Sequence, residues 1–163
     1  MEYVVGIGGY AVSSGPEDII KTFALSTCVG LVLYSMRKRV MGMAHIQLPE
    51  CRSMGAGDKP SRFADTAPEF MINEMKKLGV TARELHISLY GGIDAKGEND
   101  CFRIGEKNLR NVKAKLKSLG LAYKEVDTGG QESRTLVAYT GTGIVEVIKR
   151  PMAFRPAGPA GRR

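Results

Sequence analysis

Little in this chain invites a metal, a disulfide framework or a membrane. Its 163 residues include three cysteines, at 28, 51 and 101, and two histidines. An odd number of widely spaced thiols builds neither a disulfide scaffold nor a zinc knuckle, and two histidines cannot make a His-rich metal site. No stretch approaches the ~18 consecutive apolar residues of a bilayer span, so no membrane insertion is expected. The opening MEYVVGIGGYAVSS lacks a positively charged start, so no signal peptide is expected either. Free thiols without a targeting segment point to a reducing, cytoplasmic setting.

What is present is ordinary for a globular domain: 43% hydrophobic and 25% charged residues, which excludes wholesale disorder. The net charge of +7 is unevenly placed. Residues 149–163 hold Lys149, Arg150, Arg155, Arg162 and Arg163 and no acid, leaving only +2 for the rest. No RNP, zinc-finger or helix-turn-helix signature accompanies the charge, so nucleic acid is not the expected partner. Three of the seven prolines fall in this stretch. We therefore expect one domain over residues 1–150 and a disordered basic tail over 151–163.

Along the domain, strands alternate with helices. The apolar run 22–34 reads as a buried strand, with or without a turn before it, and 40–47 as its hairpin partner across the polar SMRKR. Ala67, Phe70, Met71, Met75 and Leu78 make one helical stripe, with Thr66 and Glu69 as a capping box and Gly79 as the stop. A second helix spans about 104–119, with Leu109, Val112, Leu116 and Leu119 on one face and Gly120 after it. ELHISLYGG, AYKEVDTGG, SRTLVAY and GIVEVIK read as strands. The expected fold is a layered α+β (mixed α/β) sandwich, its sheets flanked by two amphipathic helices.

Cys28 falls in the most apolar segment, and the hairpin brings His45 towards it on the neighbouring strand. A cysteine beside a histidine can form a thiolate–imidazolium pair, the activated nucleophile of acyl-transfer enzymes, although a buried cysteine is often only a small core hydrophobe. His86, mid-strand among apolar neighbours, reads as a buried structural histidine. Gly91-Gly92 and Gly129-Gly130 read as turns, Asp65 as a helix-start residue, and Cys51 and Cys101 as incidental thiols. Asn108 interrupts the apolar face of the second helix, as a buried hydrogen-bonded group or a site residue. Phe102, an aromatic flanked by polar residues, is either a partner-binding surface or a core anchor.

The order of short motifs adds a resemblance. Thr22, Leu25, Cys28-Val29-Gly30, Gly42-Met43-Ala44-His45 and Leu48-Pro49 run in sequence. Phe63-Ala64-Asp65, Gly91-Gly92, Ile104-Gly105 with Asn108, Asp127 with Gly129-Gly130, and Arg134 follow. Over residues 5–148 the chain resembles the CheD family of bacterial chemotaxis proteins. Departures from the family's common residues fall at Ser26-Thr27, Met41, Lys107 and Ser133. The resemblance implies a glutamine deamidase acting on the cytoplasmic domain of a chemoreceptor, with a cysteine-hydrolase-like site whose Cys–His–Thr triad maps onto Cys28, His45 and Thr22. Thr22 would orient the imidazole, backbone N–H groups near Cys28 would serve as oxyanion hole, and Ser26, Thr27 and Phe102 would contact substrate or partner. Such chemistry needs no metal or organic cofactor and extends naturally to glutamyl methyl esters. The family resemblance also implies a CheC-type phosphatase as partner, so a module that mainly regulates that phosphatase is the alternative; a papain-like protease ranks last.

Overall fold

The structure, a computed structural model, describes residues 1–93 and 103–152. The described elements run β1 (Glu2–Val5), β2 (Tyr10–Ser13), β3 (Ile19–Leu25), β4 (Val29–Ser35), β5 (Val40–Ile46), α1 (Ala67–Lys76), β6 (Leu85–Gly91), α2 (Ile104–Ser118), β7 (Lys124–Thr128), β8 (Glu132–Tyr139) and β9 (Val145–Pro151). They form a four-stranded sheet ordered β1-β3-β8-β9 and a five-stranded sheet ordered β2-β5-β4-β6-β7. Both sheets are mixed, since β1 runs parallel to β3 and β6 to β7 while the other pairs are antiparallel. The α+β expectation holds, with a refinement: both helices lie on one face of the five-stranded sheet. Ala67, Met71 and Met75 of α1 and Val112 and Leu116 of α2 pack with Leu31, Leu33, Ile46, Ile87 and Leu89. The opposite face meets the four-stranded sheet through Ile20, Leu25, Val32, Met41, Met43 and Leu136. Every residue of β4 and β5 is buried because both faces of these strands are covered. That is why their sequences read as continuous apolar runs rather than alternations.

The run 22–34 is not one strand. Ala24 takes a positive φ of 53°, and the β3–β8 register shifts between Thr22 and Leu25. The chain then bends at residues 26–28, leaving one sheet and entering the other. Apolarity alone does not mark this break, since both halves are buried. The first thirteen residues, given no element from sequence, form two four-residue strands.

Helix ends behave differently at the two termini. Gly79 and Gly120 close their helices as expected: Gly79 N–H donates to Lys76 and Val80 N–H to Met75, and Gly120 N–H donates to Lys117 and Leu121 N–H to Leu116. The capping box does not form. Thr66 has a helical backbone and its hydroxyl donates to the Pro60 carbonyl, while Glu69 pairs with Lys115 of α2 at 3.2 Å. Asp65 does not cap the helix but clasps the preceding loop, accepting from Cys51 N–H at 2.9 Å.

His86 is exposed, not buried. It alternates with Ile87 and Leu89, so it faces away from the helices, at a cleft it shares with Tyr34, Met36, Val126 and Val145. β9 runs through Pro151 and contains Lys149 and Arg150, two of the five charges of the basic stretch 149–163. Lys149 pairs with Asp127 at 2.9 Å. Phe102, Cys101 and residues 153–163 lie outside the described residues.

Candidate active site

Cys28 is not inside a strand but in the bend that crosses between sheets, immediately before β4. Three successive carbonyls of this bend are captured from one side. Ser26 O accepts from Ile93 N–H at 2.8 Å, Thr27 O from the Asn108 side-chain amide at 2.9 Å, and Cys28 O from Gly92 N–H at 2.8 Å. A trans peptide points its N–H opposite its C=O, and no cis bond occurs among the described residues. The N–H groups of Thr27 and Cys28 therefore face away from α2 and the end of β6. Neither donates to any group among the described residues. Two adjacent N–H groups left open in this way are the kind of donors that receive a developing negative charge.

Close approach here depends on small residues. Gly91 has φ +86°, and a Cβ there would overlap the Cys28 carbonyl oxygen. A Cβ on Gly105, in the first turn of α2, would overlap the Ile93 carbonyl. The Gly91-Gly92 pair is thus no simple turn; it lets the end of β6 lie against the backbone of Cys28. Gly129-Gly130 does form the turn between β7 and β8.

The β4–β5 ladder sets Gly30 opposite His45 and ends at Val29 with Ile46. Cys28 lies two residues before Gly30, at the same end of the sheet. It packs in the inter-sheet cluster with Met41 and Met43, whose face of β5 His45 shares. Thr22, fully buried on β3, reaches across from the other sheet, its Oγ1 2.7 Å from His45 Nδ1. That hydroxyl also donates to the Val5 carbonyl at 2.8 Å. Threonine has one hydroxyl hydrogen, and a carbonyl can only accept. The hydrogen is therefore committed to Val5, and His45 Nδ1 must be the donor to Thr22. This fixes the tautomer: Nε2 carries the lone pair, and it is buried with no partner among the described residues. The histidine is held along its backbone too, accepting from Gly8 N–H at 2.8 Å and donating to Gly9 O at 3.0 Å.

Burial sets the charge state. It pushes the Cys28 thiol up to about 11 and the His45 imidazolium down to about 4. Both shifts favour the neutral forms, so at neutral pH the pair rests as thiol and imidazole. The thiolate–imidazolium pair expected from sequence is disfavoured because little water reaches either group.

Of the remaining expected site residues, Ser26 and Thr27 flank Cys28 with half-buried side chains, and their carbonyls are tied as described. One contributor escaped sequence reading and a second was read only in part. Val5 acts through its carbonyl, which no residue type advertises. Asn108 was visible as a polar break in an apolar face, but not what it holds. Among the described residues, no group of three His, Cys, Asp or Glu is placed to bind a metal, and no helix is long and apolar enough to cross a membrane.

Comparison with known proteins gives a consistent family. The family model described as CheD chemotactic sensory transduction matches residues 47–149. The chain is 38% identical over 151 residues to the probable chemoreceptor glutamine deamidase CheD of Thermococcus kodakarensis, covering 91% of this chain and 93% of that one. It is 37% identical over 152 residues to the chemoreceptor glutamine deamidase CheD of Thermotoga maritima, covering 91% and 92%. Among solved structures, YlmD from Geobacillus stearothermophilus aligns with a TM-score of 0.45 and 8% identity, over 76% of this chain and 51% of that one.

Proposed function

The chain belongs to the CheD family, and on that premise we propose that it deamidates glutamine side chains of a chemoreceptor's cytoplasmic domain, with Cys28 as nucleophile, His45 as acid–base and Thr22 as orienter. The observation that carries this reading is the locked imidazole. Thr22 is bound at Nδ1, its own hydrogen is spent on Val5, and the only open acceptor left is Nε2, at the end of the sheet that holds Cys28.

In the proposed reaction, Nε2 takes the thiol proton as Sγ attacks the side-chain amide carbon. The neutral resting pair makes transfer and attack a coupled event. The carbonyl oxygen becomes an oxyanion, received by the N–H groups of Thr27 and Cys28. His45, now imidazolium, returns the proton to the departing nitrogen, and ammonia leaves a thioester behind. The neutral imidazole then takes a proton from water, hydroxide adds to the thioester carbonyl, and Cys28 departs as the thiol. Glutamate is the product. Thr22 accepts the Nδ1 hydrogen throughout but supplies no charge, so it orients rather than activates. A glutamyl methyl ester presents the same acyl carbon and loses methanol instead of ammonia. The reading keeps Ser26 and Thr27 as substrate contacts and a CheC-type phosphatase as second partner; Phe102, its proposed contact, lies outside the described residues. Incubating the protein with a receptor cytoplasmic fragment and mapping Gln-to-Glu conversion by mass spectrometry tests the proposal. Conversion by wild type and none by Cys28→Ala is expected, and no conversion by wild type overturns it.

A further inference from the structure

The β4–β5 ladder stops one pair short of where Cys28 and Gln47 would meet. Beyond its last rung, Asn108 of α2 donates both hydrogens of its amide, to Thr27 O at 2.9 Å and to Gln47 O at 3.1 Å. Two carbonyls cannot bond each other; they need a group with two donors between them. Because both neighbours only accept, the atom facing them must be the nitrogen. One side chain therefore joins the residue before Cys28 to the residue two past His45. Asn108 is fully buried, and its Oδ1 has no partner among the described residues. An unsatisfied buried acceptor is a cost in stability, so this asparagine is not the residue that best stabilises an otherwise apolar helix face.

From this geometry we infer that Asn108 is a positioning residue for the oxyanion hole: by fixing the Thr27 carbonyl towards α2 it turns the Cys28 N–H of the same peptide towards the site where the substrate oxygen becomes charged. The inference rests on Cys28 being the acyl-transfer nucleophile. It is separable from the receptor as substrate.

Two small probes read it. Acylation of Cys28 by p-nitrophenyl acetate passes through a tetrahedral oxyanion as the thioester forms and p-nitrophenolate leaves. Alkylation of the same sulfur by iodoacetamide displaces iodide and forms no oxyanion. Asn108→Leu keeps nearly the size and removes both donors; Asn108→Ala removes them together with the bulk. After subtracting the Cys28→Ala background, either folded variant should acylate at least about tenfold slower than wild type. Its alkylation rate should stay within about twofold, because the thiol and its base are untouched. Parallel losses in both reactions, no loss in either, or failure of both variants to fold overturn the inference. Wild type that acylates but leaves receptor glutamines unchanged sinks the deamidase reading alone. Wild type that neither acylates nor alkylates at Cys28 sinks both.

Discussion

Among the described residues, the Thr22–His45 contact and the Asp127 cluster both join the two sheets, and they are built on opposite plans. At one end, Thr22 of the four-stranded sheet meets His45 of the five-stranded sheet through neutral groups, leaving one acceptor open. Elsewhere Arg134 of β8 and Lys149 of β9 meet Asp127 of β7 through charges, and little is left unsatisfied. Arg134, 3% exposed, donates to Asp127 from Nε and Nη2, to Gly129 O and to Glu132 O, while Lys149 takes the other Asp127 oxygen. Burial works against the Asp127 carboxylate, but hydrogen bonds from Lys149 and Arg134 outweigh it and hold its pKa below the ordinary value. A saturated charged cluster suits a clamp. A neutral pair with a spare lone pair suits proton transfer. Substitutions at each should therefore fall on different observables.

The largest effect belongs to the open contact. Cys28→Ala should remove at least about a thousandfold of the deamidation rate, and His45→Ala nearly as much, since the groups act as a unit. Circular dichroism should remain native for Cys28→Ala. Retained activity in that variant breaks the comparison at its centre.

Next comes acid stability. His45 titrates near 4 when folded and near 6.5 when unfolded. A base whose folded pKa is depressed leaves the unfolded state holding more protons between those values, so stability is full above 6.5 and falls as pH drops towards 4. The integrated loss is about 3 kcal/mol. Asp127, held below the ordinary carboxylate value, adds its loss only in more acidic solution. Urea unfolding at pH 7 and at pH 4.5, in wild type and in His45→Asn, separates the two: the asparagine variant should lose most of this slope. An equal slope in both proteins places the titration elsewhere.

Arg134→Ala should act on the clamp instead. It strips Gly129 O and Glu132 O of their donor and leaves Asp127 with Lys149 alone. Asp127 is partly solvated, so the cost is about 2–3 kcal/mol, at the low end for breaking a buried pair. Thermal unfolding reads the loss directly, and kcat per folded molecule should change far less than in Cys28→Ala. A catalytic defect matching that of Cys28→Ala would merge the two contacts into one site.

The two contacts were also unequally legible. His45 and Cys28 stood out because their residue types are rare here and the hairpin spacing was read as putting them on neighbouring strands; the structure instead sets Gly30 opposite His45 and leaves Cys28 in the bend two residues earlier, at the same end of the sheet. Thr22 emerged only from the resemblance, since a threonine in an apolar run says nothing by itself. The bend at residues 26–28 was hidden because both strands flanking it are buried, so hydrophobicity does not change where the chain crosses sheets. Val5 was invisible in principle, as its part is played by backbone. Thr66 and Glu69 had the spacing of a cap, but tertiary partners, Pro60 and Lys115, claimed both side chains. His86 was misjudged because its face of β6 is buried against the other sheet at Tyr90 but opens into a cleft at residue 86.

The smallest effect tests the orienting group. Thr22→Val keeps the shape and volume near His45 and removes the hydroxyl oxygen. Nδ1–H then loses its acceptor in a buried setting, and Val5 O loses its donor. The imidazole is free to take the other tautomer, which presents a hydrogen rather than a lone pair at Nε2 and cannot accept the thiol proton. The backbone bonds of His45 to Gly8 and Gly9 are independent of Thr22, so the ring stays near its place. We therefore expect kcat to fall about tenfold with KM nearly unchanged, a loss of about 1.4 kcal/mol in transition-state stabilisation. Thr22→Ser, which keeps the hydroxyl, should recover most of it. If Thr22→Val matches Cys28→Ala while folded, Thr22 does more than orient. If Thr22→Ser is as slow as Thr22→Val, the hydroxyl is not what holds the tautomer.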